Sequence, residues 1–175
     1  MTRSIGNVVA DSLQLGLSYS ERLAKGIEAS KFARLAAPGG QIVESNHPAF
    51  IFGHLSLYAP MIGGQLRQTD SLPDASEDFK RVFSKDARCV DDADGSIYPP
   101  MDEVMEKFFA GYRAVHSMLR EIPDYVMLKD NPTGGRMSEL FPTLGSLHAF
   151  YVGGHMMLHL GQLSAWRRMQ GLGPA

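Results

Sequence analysis

The sequence predicts an all-α protein, a four-helix bundle with a long crossover between its second and third helices. Three observations carry that prediction. Apolar residues recur at helical spacing in four long segments, proline- and glycine-bearing breaks separate those segments, and no stretch shows convincing strand-like alternation. At 175 residues, a single domain spanning 1–175 with a full hydrophobic core is expected.

The first helix is expected from about Val8 to Arg34, with Leu13, Leu17, Ser20, Ala24 and Ile27 on its inward face and Pro38-Gly39-Gly40 as its stop. The second begins near Asn46-His47-Pro48, where Asn46 or His47 can cap and Pro48 suits the first turn. Phe50, His54, Leu57 and Met61 form its stripe, Pro60 should bend it, and Gly63-Gly64 should weaken or end it before Thr69. From Asp70 to Pro100 the helical pattern fails, apart from a short helix expected over Glu77 to Phe83. That length is why helices two and three are joined by a crossover rather than a tight hairpin. The acidic run Asp91-Asp92-Ala93-Asp94-Gly95 is turn-like but not an EF-hand. With Gly95 in the sixth loop position, the first and last positions fall on Val90 and Met101, where Asp and Glu are required.

A third helix follows Pro99-Pro100, with Asp102 and Glu103 in its first turn and Val104, Phe108, Gly111, Val115, Leu119 and Ile122 on its buried side. The last helix should start between Met137 and Pro142 and run to about Gln170, where Gly171 and Gly173-Pro174 stop it. Its expected inward face is Leu144, Leu147, Tyr151, His155, Leu158, Gln162, Ala165 and Met169, and Met156 and Met157 read as gap-filling core residues. Glycines 145, 153, 154 and 161 each cost about 1 kcal/mol relative to alanine in a helix, which suggests close approach of a backbone or a ligand around His155.

Hydrophobic residues make up 44 % of the chain and charged ones 21 %, and 17 basic against 19 acidic side chains give a net charge of −2. Nothing in that balance calls for nucleic acid. The densest basic spot, Arg167-Arg168, is explained by the C-terminal dipole of the last helix. Cys89 is the single cysteine, which rules out an internal disulfide, and its neighbours Asp91 and Asp92 argue against a nucleophilic thiolate. There is no apolar leader-like run at Met1 to Gly6 and no membrane-length apolar segment, so a cytoplasmic location with no membrane partner is expected.

The chemistry lies in the histidines. His155 and His159, four apart on a helix, differ by about 40° in azimuth and about 6 Å in rise, so both rings leave one face and can share one metal ion. His54, set in the stripe of the second helix within Phe52-Gly53-His54-Leu55, is the best third ligand. Gly53, Gly154 and Gly161 leave room around them. His148 and His47 each stand seven residues from a candidate ligand, about 10.5 Å along the axis, too far for the same ion. They either line an approach or sit in the core, and the core is the favoured reading. His116 reads as a core or boundary residue. Gln162 and Tyr58, one turn beyond His159 and His54, are the groups placed to support the site.

The pieces Phe52-Gly53-His54-Leu55, His155-Met156-Met157-Leu158-His159-Leu160-Gly161-Gln162-Leu163 and Trp166-Arg167-Arg168-Met169-Gln170-Gly171-Leu172 together resemble the DinB/YfiT-like superfamily of metalloproteins. The resemblance covers nearly the whole chain, departing in the doubled glycine before His155 and in Pro60. It implies an up-down-down-up four-helix bundle and a divalent metal, zinc or nickel, on His54, His155 and His159 with open positions beyond. It further implies a homodimer and, as partners, a low-molecular-weight thiol and a small electrophile in S-transfer or isomerisation. Two kinds of function follow. One is a metal-dependent enzyme, a thiol S-transferase or isomerase. The other is a non-catalytic metal-binding or stress-response bundle whose metal is structural or absent. A zincin peptidase does not fit, because Met156 follows His155 where that motif needs Glu.

Overall fold

The computed structural model of the protein describes residues 3–66 and 72–175. Among them the structure is all-helical, with isolated β-bridges at Ala36–Val43 and Asp130–Thr143 and no extended sheet. Among the described residues no helix is long and apolar enough to cross a membrane.

Helix α1 (Ile5–Ala24) opens on Ser4, whose hydroxyl accepts from the Asn7 N–H, and buries Val9, Ala10, Leu13, Leu17, Ser20 and Leu23. It ends ten residues earlier than the expected Arg34. Gly26 adopts a φ of 80°, and the chain forms only one further turn, α2 (Ala29–Phe32). Arg167, read from sequence as serving its own helix, instead caps α1, donating to the carbonyls of Leu23 at 2.6 Å and Lys25 at 2.7 Å.

His47 caps α3 (Pro48–Ser56): its Nδ1 accepts from the Phe50 N–H, leaving Nε2–H to donate to the Val90 carbonyl. All of α3 is buried, as an apolar helix through the centre of a core must be. The break expected from Pro60 falls at Leu57, ahead of α4 (Tyr58–Leu66). A proline at 60 cannot donate to the Ser56 carbonyl, and its ring crowds that same carbonyl. Gly63-Gly64 do not end this helix, which continues to Leu66, while Thr69 and Asp70 lie outside the described residues. Helix α5 (Glu77–Phe83), capped by Ser76, has the expected bounds.

Helix α6 (Met101–Glu121) packs against α1, α3 and α4 and buries Val104, Phe108, Tyr112, Val115, Met118 and Leu119. Gly111 is where α4 comes close, since a Cβ there would lie 2.9 Å from that of Ala59. Beyond the short α7 (Asp124–Met127) and α8 (Gly135–Leu140), Pro142 separates α8 from the long final helix, so that helix starts later than expected. It opens with a capping box between Thr143 and Ser146 and comprises α9 (Leu144–Ala149), a π-helical turn (Phe150–His155) and α10 (Met156–Met169).

The π turn moves the buried face. Widening one turn by one residue rotates everything after it by about 100°. Leu144 and Leu147 are buried as expected, but from the turn onward burial passes to Val152, Met156, His159, Leu163 and Trp166, one position past Tyr151, His155, Leu158, Gln162 and Ala165, and to Leu160. Leu158 and Met157, both expected inside, are 60 % and 39 % exposed.

Candidate metal centre

Helix α3 contributes His54 and the last helix contributes His155 and His159. One ring nitrogen from each lies within 4.8 Å of the others. His155 Nε2 and His159 Nε2 are 3.2 Å apart. A tetrahedral ion at about 2.0–2.1 Å from each nitrogen needs pairs about 3.4 Å apart, so that pair already fits and the cluster as a whole is within about 1.5 Å of it.

Each ring is held by the fold. The Phe83 ring lies flat on Gly53, where any Cβ would sit 2.4 Å from it, and this contact seats α5 against α3. It also brings the Phe83 carbonyl to 2.9 Å from His54 Nδ1, which donates to it and leaves Nε2 as the free ligand atom. His159 Nδ1 donates to Gln162 Oε1 at 3.1 Å, and the same oxygen accepts from Asn46 Nδ2 at 2.9 Å. Gln162 therefore has the supporting place its spacing suggested. Tyr58 also lies beside the cluster, its hydroxyl 3.5 Å from His54 Nε2. His155 Nδ1 is buried without a hydrogen-bond partner among the described residues. The hydrogen-bond partners missed from sequence are Asn46, which donates to Gln162, and the Phe83 carbonyl, which accepts from His54. Asn46 was read only as a helix cap, and a backbone carbonyl leaves no residue-type signal.

Burial holds all three imidazoles below the usual histidine range. His155 is pushed to about 4, by burial first and then by its two neighbours. For His159 burial and His54 act downward against the Gln162 hydrogen bond, and for His54 burial outweighs the bond to Phe83. At neutral pH the cluster is uncharged, the protonation state a metal requires. Three neutral nitrogen donors suit zinc, nickel or copper better than magnesium or calcium, which take oxygen.

The remaining histidines are not part of this cluster. His47 and His148 are fully buried core residues, and His116 is half-buried on α6. Beyond Asn46 lies a cavity of about 320 Å³ lined also by Leu35, Arg88, Cys89 and Asp91. The Cys89 thiol is pushed up to about 11, more by burial than by Asp91, so it is no nucleophile at neutral pH.

The fold and the cluster define an all-helical protein with three histidines able to hold one metal ion. Neither the protein-family models nor the curated proteins contain a match to this chain.

Proposed function

We propose that the protein is a divalent-metal-dependent enzyme of the DinB/YfiT-like kind, a four-helix bundle using His54, His155 and His159 in thiol S-transfer or isomerisation. One observation carries the reading. Two helical segments a hundred residues apart in sequence present three uncharged imidazoles to one point, and two of those rings are oriented by hydrogen bonds at their far nitrogens. When bound, a zinc or nickel ion would supply the Lewis acidity that makes a thiol or a water nucleophilic at neutral pH. The chain's own part is to fix ring orientation through Phe83 and Gln162, and to bury His54 and His159 away from bulk water. The Tyr58 hydroxyl, beside the free nitrogen of His54, can donate a hydrogen bond to whatever occupies the open side. In this reading α1, α3 with α4, α6 and the final helix are the four helices, α5 lies within the crossover, and the protein is a cytoplasmic homodimer.

The test is metal analysis of protein purified without a histidine tag, followed by thiol consumption with a haloaromatic electrophile. One equivalent of metal, lost in His159→Ala, together with metal-dependent turnover is the expected result. Metal bound with no turnover across a panel of thiols and electrophiles would instead favour a bracing ion between α3 and α10. The near-complete burial of His54 and His159 suits that second role.

A further inference from the structure

Of the three rings His155 is the most exposed, being half-buried, whereas His54 and His159 are 6 % and 9 % exposed. A molecule arriving from outside therefore meets what surrounds His155. Its ring is bordered by Tyr58 at 4.6 Å, Phe150 at 5.8 Å and Tyr151 at 5.9 Å between centroids. Tyr58 continues to Tyr151 at 4.9 Å, and Phe150 stacks on Phe141 at 4.6 Å. Phe52, Phe108 and Tyr112 also meet ring to ring, but they are buried and fill the core. Tyr58, Phe141, Phe150 and Tyr151 all remain half-exposed.

The π turn creates this arrangement, because Phe150 and Tyr151 open the turn that His155 closes. The exposed Gly154 keeps the adjoining surface low: a Cβ there would touch the Phe150 ring at 3.5 Å.

We propose that this aromatic rim is a recognition surface for an aromatic ligand, which stacks on Tyr58, Phe150 and Tyr151 while a polar substituent reaches the three histidines. The proposal rests on the metal reading of the histidine cluster and adds to it the class of substrate. Offset or edge-to-face packing against these rings favours a flat π system over an aliphatic body of equal size.

The test uses cobalt-loaded full-length protein, with benzohydroxamate, cyclohexanecarbohydroxamate and acetohydroxamate as probes, read from the visible cobalt spectrum. Benzohydroxamate is expected to bind at least tenfold more tightly than either other probe. In the Phe150→Leu/Tyr151→Leu variant that preference should fall below threefold while cobalt affinity is retained. Equal affinity for the phenyl and cyclohexyl probes overturns the proposal with no variant needed, as does a preference that survives the double substitution. Failure of the native protein to give a cobalt–histidine spectrum overturns the metal reading itself, a result distinct from a spectrum that forms and is indifferent to the ring.

Discussion

Replacing Gln162 with Leu removes the oxygen that accepts from both His159 Nδ1 at 3.1 Å and Asn46 Nδ2 at 2.9 Å. The His159 ring then loses the group that selects its tautomer and sets its rotation. Losing such an outer partner typically weakens metal binding about 10–100-fold, equivalent to about 1.4–2.7 kcal/mol. The upper part of that range is expected here, because His155 Nδ1 has no partner and the other anchor of the cluster is the bond from His54 to Phe83. Asn46→Ala leaves Gln162 in place as acceptor, so its effect should stay below about tenfold. Gln162→Glu keeps the acceptor, adds charge and should hold affinity or raise it, since a carboxylate makes the ligating imidazole more basic. Competition titration of zinc against a chromophoric chelator measures all three, with urea unfolding of the metal-free proteins to separate affinity from stability. Gln162→Leu binding zinc within threefold of the native protein would refute the argument, and so would Asn46→Ala proving the more damaging change.

Two further outcomes concern the fold. Arg167→Met keeps the apolar stem but removes the buried guanidinium that closes the C-terminus of α1. The expected loss is about 3 kcal/mol. At about 2.1 cal/mol/K per residue, that lowers the melting temperature of this 175-residue chain by about 8 °C. A loss under 1 kcal/mol in thermal or urea unfolding would show that the cap is dispensable. His47 and His148, both held down to about 4 by burial, bind protons more readily unfolded than folded. Their stabilisation is complete above the ordinary histidine value of about 6.5 and is lost as pH falls toward 4, at up to about 1.4 kcal/mol per pH unit for each. Urea unfolding of metal-free protein at pH 7 and pH 5 should show that decline, and His148→Leu should remove one proton from the slope. Among the described residues neither His148 nitrogen has a hydrogen-bond partner, so this variant should be no less stable at pH 7. The lowered carboxyls of Asp74, Asp91 and Asp94 act only below their own range and leave this window untouched.

Much of this was legible where local chemistry decides the outcome. The bounds of α5 and α6 follow from Ser76, Pro99-Pro100 and the apolar period. Helical arithmetic pairs His155 with His159 and sets His47 and His148 apart, the stripe of the second helix singles out His54, and the structure brings those three together. What escaped was tertiary. Ile27 falls on the helical period and is buried, but it is buried in a loop after Gly26, because Arg167 closes α1 from across the fold. Gly53 was seen to leave room. That the room is taken by Phe83, and that Phe83 then presents its carbonyl to His54, depends on where α5 packs.

The π turn is the most instructive of these departures, because one residue of register decides what the site is. Had the final helix kept a uniform period, its inward face would have carried His155, Leu158 and Gln162, with His159 beside them. With the turn widened at Phe150–His155, His159 and Leu160 face the core, Leu158 is turned out, and His155 is left at the boundary between protein and water. A histidine pair that would have been wholly interior is thereby divided into a buried member anchored by Gln162 and a half-buried member with an aromatic rim. The doubled glycine Gly153-Gly154 lies inside that turn. Gly153 packs so closely on α1 that a Cβ would sit 3.1 Å from Ser12 Oγ, and a side chain at either position would fill space that the widened turn keeps clear. The helix-weakening glycines and the exposure of His155 thus have one physical origin, and it lies at the most exposed of the three rings.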